Sequence, residues 1–185
     1  NTTVFGNTAL VSNRRAMPFT FNENGDIQSI SIYHDGGSGN VILGVYSDAS
    51  GLPSSRLGVT TTAQVNASDG WQTISLTTPV PVLSDETVWL AWIFETSPRV
   101  RYMAGTPGRA ASSEKWAAGM PTSFGASTVA NYKYSIYCTY TTGASTPTLA
   151  VSPASISLGY GSGASETFDV TSNTSWSITD DAGGW

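Results

Sequence analysis

Few side chains in this sequence are suited to covalent or acid–base chemistry. The single histidine, His34, ends an alternating segment and precedes Asp35-Gly36-Gly37, and the single cysteine, Cys138, lies inside another such segment. Nucleophilic catalysis needs a base beside the nucleophile, so any such mechanism would rest on His34 alone. There is no Gly-x-Ser-x-Gly elbow. His34 therefore reads as a polar residue beside a turn, and Cys138 as a small buried hydrophobe. Glycoside hydrolysis needs only two carboxylates roughly 5–10 Å apart. Among the 13 acidic residues, Asp26, Asp35, Asp48, Asp69 and Asp85 sit in Gly- and Ser-containing turns, whose chemistry accounts for them. Glu95 and Glu114 stand apart as the remaining pair to consider. The expectation is a chain with no catalytic residue, with glycosidase or esterase activity kept as a distant alternative.

One cysteine forms no internal disulfide and excludes zinc sites built from several thiolates. Residues 22–26 (NENGD) and 35–40 (DGGSGN) gather oxygen ligands of the kind a structural Ca2+ takes. The same residues are also what turns with positive φ require, so the expected cofactor content is none, with calcium at these turns as the exception.

The aromatic residues carry a stronger signal. A saccharide presents apolar C–H faces fringed by hydroxyls, and is held by a flat ring with planar hydrogen-bonding groups beside it. Trp116 with Glu114 and Lys115, Tyr102 beside Arg101, Tyr132 beside Asn131, and Trp71 on the outward side of its segment meet that need. These residues make a ligand-binding set for a polysaccharide or glycan. Trp89 and Trp92 fall within a continuous apolar run and belong to the core.

The elements that must position these groups are strands. The 185 residues include 26 Ser, 24 Thr, 19 Gly and 9 Pro, a composition of strands and turns. Only 11% are charged and the net charge is −5, which argues against a nucleic-acid partner. No apolar run approaches the roughly 20 residues of a membrane helix. Residues 26–34, 71–77 and 134–140 alternate as half-buried strands, 41–46 reads as a buried strand ending in a turn at 47–51, and 86–95 (ETVWLAWIFE) is apolar on both faces. That last segment predicts a central strand covered on both sides. Shorter strands are expected at 17–21, 56–65 and 99–103, and residues 97–131 read as one long, irregular interaction region. The fold class is all-β: an antiparallel two-sheet, jelly-roll-like β-sandwich over 1–141, a polar linker at 142–148, and a partial immunoglobulin-like segment at 149–185. In the last segment, strands are expected at 149–152, 155–158, 167–171 and 175–179.

GVYSDASGLPSSRLG (44–58), GWQTISLTTPVPVLSDETVWLAW (70–92), MPTSFG (120–125) and YSIYCTYT (134–141) together resemble a family of secreted bacterial β-sandwich modules. Residues 148–185, with Val151-Ser-Pro153, Phe168-Asp-Val170-Thr, Ser172-Asn173 before Trp176, and a final Gly-Gly-Trp185, are similar to the start of a BACON domain. These resemblances imply a secreted or cell-surface protein whose neighbouring domains are partners, and carbohydrate binding as its role. The absence of a leading methionine or signal segment fits a mature or excised form. A structural module that self-assembles by strand pairing through the C-terminal segment is the competing expectation.

Overall fold

Alternating apolar residues become antiparallel strands throughout the described chain, which in this computed structural model comprises residues 2–142, 149–153, 165, 167 and 169–172. The chain divides into two compact units, Asn1–Gly143 and Ala144–Trp185. The first contains β1 (Asn7–Leu10), β2 (Arg15–Thr20), β3 (Gly25–His34), β4 (Asn40–Ala49), β5 (Leu52–Val59), β6 (Ala63–Gln64), β7 (Gly70–Val82), β8 (Thr87–Phe94), β9 (Arg99–Ala111), β10 (Thr128–Tyr134) and β11 (Ile136–Thr142). In the second, β12 (Leu149–Ser152) pairs antiparallel with β13 (Asp169–Ser172). Thr142, expected to open the linker, still belongs to β11, while the rest of the expected linker, 143–148, and the expected strands at 155–158 and 175–179, with Trp176 and Trp185, lie outside the described residues.

The first unit is an all-β antiparallel sandwich. One layer runs β11-β3-β7 and the other β2-β8-β4-β5. Ile30 and Ile32 of β3, Ile74 and Leu76 of β7 and Ile136 of β11 pack with Val41, Leu43 and Val45 of β4 and Leu90, Trp92 and Phe94 of β8. Each fully buried side chain of this kind contributes about 1.5–3 kcal/mol. A bulge between Ile27 and Ser29 shifts the register, so that Ile27 and Ile30 are both buried despite their opposite parity. Hydrogen bonding passes between the layers through β9, where Val100 pairs His34 of β3 and Ala110 and Ala111 pair Ala16 and Arg15 of β2.

Strand β8 is central and covered on both faces, as its composition predicts. Its outer residues Trp89, Ala91 and Ile93 join Ala16, Tyr46, Ala110, Met120 and Phe124 in a second apolar cluster. The cover is the segment 112–127, which holds a single 3-10 turn, Trp116–Ala118.

The expectation of one irregular region across 97–131 is corrected. Strand β9 runs from Arg99 to Ala111 and pairs with β10, and beyond residues 97–98 the loop is confined to 112–127. The Gly105-Thr106-Pro107-Gly108 interruption hid the strand. Residues 105–108 lie where the register skips from Ala104–Tyr132 to Arg109–Ala130, so Pro107 removes no ladder bond there. Gly108 is required at this point, because a Cβ would sit 2.5 Å from the Ala130 carbonyl oxygen. The expected strand 56–65 is likewise split into β5 and β6. The turn after β4 is tight, with Ser50 and Gly51 at φ 54° and 80°, the pattern of a two-residue hairpin.

Candidate functional site

Register brings together residues that are distant in sequence. Tyr134 of β10 lies directly across from Tyr102 of β9, and Tyr132, two residues along, shares its face. The Tyr102 ring meets Tyr132 edge-on at 5.5 Å and lies 5.7 Å from Tyr134. Tyr134 in turn rests 5.1 Å from Trp92 in the core. Arg15 of β2 pairs with Ala111, which places it diagonally to Arg109 on the same face. With Ala9 of β1, the two arginines and the three tyrosines line a cavity of about 180 Å3. A cleft of about 500 Å3, bordered by Asn13, Ser112, Ser127 and Thr128 and by Ala111 and Ala126, adjoins it and shares Arg109.

The arginines are held by neutral groups. Arg15 donates to the Tyr134 hydroxyl and, through Nε, to Asn13 Oδ1 at 3.2 Å. Its guanidinium lies 5.5 Å from the Tyr134 ring, and that of Arg109 lies 5.9 Å from the Tyr132 ring. Arg109 Nη1 reaches the Thr128 carbonyl only at 3.5 Å, and its Nε has no partner. Burial holds the Arg15 guanidinium below its usual pKa, and the positive charge of Arg109 acts in the same direction, against the favourable Tyr134 contact.

The other sequence candidates fall into separate places. Asn131 is exposed at the register shift beside Tyr132. Arg101, expected to flank Tyr102, faces the opposite way: its Nε is 2.7 Å from Asp35 Oδ1, and its guanidinium covers the Tyr33 ring at 5.8 Å. Strand alternation imposes this, since adjacent residues point to opposite faces. Trp71 belongs to that second group, edge-on to Tyr33 at 5.6 Å and to Tyr137 at 4.8 Å. Trp116 lies apart from this corner. It is half-buried against the outer cluster that includes Ile93 and Met120, because the loop it lies in folds down over β8. Glu114 is exposed, and its backbone carbonyl accepts from the Arg14 amide.

The pocket residues that sequence reading missed are Arg15, Arg109 and Tyr134. Tyr134 was legible only as an inward strand residue. Neither arginine has a local motif, since they meet through pairing between β2, β9 and β10.

No family model, curated protein or solved structure matches the chain. The functional reading therefore stands on residue geometry. His34, expected beside a turn, is fully buried. Its Nδ1 accepts from the Gly36 amide at 3.1 Å, which leaves Nε2 as the donor to Gln72 Oε1 at 2.8 Å. Both ring nitrogens are thus engaged in holding the chain. Three of the turn residues considered for calcium also hold the chain: Glu23 accepts from Tyr140, Asn24 from the Ser84 amide, and Asp35 from Arg101. Glu95 accepts from Asn40 at 2.7 Å.

Burial pushes the Cys138 thiol up to about 11, leaving little thiolate at neutral pH. Cys138 is therefore expected to react with a thiol reagent at pH 8 far more slowly in the folded protein than in urea. Equal rates in the two states, measured by absorbance, would show an open thiol.

Proposed function

We propose that the first unit is a non-catalytic carbohydrate-binding module, part of a secreted or cell-surface multidomain protein, and that it holds a glycan on the Tyr102–Tyr132 corner. The observation that carries this reading is Tyr132, 40% exposed at the lip of a cavity whose walls are two further tyrosines, Tyr102 and Tyr134, and two guanidinium groups. A sugar ring lying on Tyr132 would bury its C–H face, and its hydroxyls would meet the planar donors of Arg109 and the amide of Asn131. The adjoining cleft offers Ser and Thr side chains for a further residue of the glycan. Contacts of this number support weak binding by one module, raised by avidity when neighbouring domains on the parent chain engage the same polymer.

Affinity electrophoresis of the full chain on plant, fungal and bacterial polysaccharides tests the proposal. Retardation on at least one is expected, and Tyr132→Ala is expected to weaken it about ten-fold, the scale of one lost ring contact. Tyr132 is exposed, so this variant keeps its fold. Absence of retardation across the panel, or unchanged retardation in Tyr132→Ala, would overturn the reading.

A further inference from the structure

We infer that the pocket selects an anionic saccharide, one whose carboxylate or sulfate group is held between Arg15 and Arg109. The inference rests on the glycan reading above and names its substrate class. The protein has 8 basic and 13 acidic residues, yet two of the eight converge here. Among the described residues the only ion pair is Arg101–Asp35, so neither pocket arginine has a carboxylate partner. No acidic residue lines the cavity or the adjoining cleft.

Two partly buried guanidinium groups on one wall repel each other, and their remaining N–H donors are under-used: Arg109 has a single long bond, and its Nε is unpartnered. The Ser127 hydroxyl, in the adjoining cleft, is also buried without a partner. A neutral sugar would leave the repulsion in place. A carboxylate or sulfate neutralises it, and accepts from the guanidinium fork in the geometry that makes such bonds short and strong. The tyrosine corner then fixes which face of the sugar lies against the protein, and the charge fixes which sugars enter.

The test compares tri-galacturonate with its fully methyl-esterified form, which keeps the rings and removes the charge, and with a sulfated galactan trisaccharide, all titrated calorimetrically into the full chain. At least one charged ligand is expected to bind about ten-fold more tightly than the neutral ester, with the advantage shrinking as NaCl rises. Arg109→Gln is expected to abolish the preference and Arg109→Lys to retain part of it. Arg109 is the informative position because Arg15 also supports Tyr134. Which charged trisaccharide binds more tightly separates carboxylate from sulfate. Equal binding of charged and neutral forms, or a preference that survives Arg109→Gln, would overturn the inference and leave the glycan reading standing. If no trisaccharide binds, sodium sulfate is titrated while the Arg109 Nε–H resonance is followed. A saturable shift would retain the anion site without a saccharide on it, and no shift would overturn the inference, while the glycan reading itself stands or falls on the polysaccharide panel.

Discussion

Replacing Arg14 with alanine is expected to destabilise the first unit by about 3 kcal/mol and to release the 112–127 cover from β8. Arg14 is only 1% exposed, an unusual position for a charge that lacks an ion-pair partner among the described residues. Its Nη1 donates to the Gly119 carbonyl at 3.0 Å and its Nη2 to the Phe124 carbonyl at 2.6 Å, with the guanidinium 4.9 Å over the Phe124 ring. Burial lowers its pKa. Without the guanidinium, two carbonyls inside the cover lose their donors, each at a cost of about 1–3 kcal/mol unless the segment lifts to reach water. The total is therefore limited by what docking of Met120 and Phe124 contributes. Amide exchange is the decisive measurement. The Phe124 and Arg56 amides, which bond Ser54 and Thr122 across the cover's edge, should exchange much faster in the variant. Unchanged protection would mean that β5 alone holds the segment.

The same cover responds to alkali. Burial pushes the Tyr46 hydroxyl up to about 12, and it donates to the Pro121 carbonyl at 2.8 Å. The unfolded chain ionises this tyrosine first, near about pH 10. Its contribution is thus complete below about pH 10 and is lost as pH rises toward 12.

The other large effect is expected from Gln72→Leu, at about 3–5 kcal/mol. Gln72 Oε1 accepts from His34 Nε2 and from the Asn66 amide at 3.1 Å, while its Nε2 donates to the Gln64 carbonyl at 2.7 Å. One side chain therefore serves an imidazole and two backbone groups around the buried end of β3. Leucine matches its volume closely enough that packing is kept, and the loss comes from orphaned polar groups. Urea unfolding should show the full cost. Pairing the change with His34→Leu should cost less than the sum of the single changes, because each removes the same hydrogen bond. Strict additivity would mean that the two side chains do not depend on each other.

How much the sequence disclosed varies with the distance over which its signals act. Val88 to Phe94 is apolar at every position, so its central place and its two covered faces follow from composition alone. Ile30, Ile32, Ile74 and Ile136 are legible for the same local reason, a period of two with one dry face. Strand β9 was legible only at its start. Its middle carries glycines and a proline because it crosses a register shift, and a break in the ladder looks from within the sequence like a loop. The packing of Trp116 was not legible, because an aromatic residue among Ala, Gly and Lys looks exposed until the bare outer side of β8 is known to need a cover. The Tyr102–Tyr132 contact joins two named candidates, but Arg15 enters from about 90 residues earlier through the register of β2 on β9. Arg14, beside it, gave no sign of burial, since an arginine's usual place is in water.

The strand shared by both layers has a mechanical consequence. Because β9 is bonded to β3 near Val100 and to β2 near Ala110, sliding one layer across the other shears peptide–peptide bonds as well as oil-like contacts. The sandwich is stitched at that margin like two cloths on one thread. A load pulling one layer past the other would meet its resistance at the seam where Tyr102 and Arg109 are mounted.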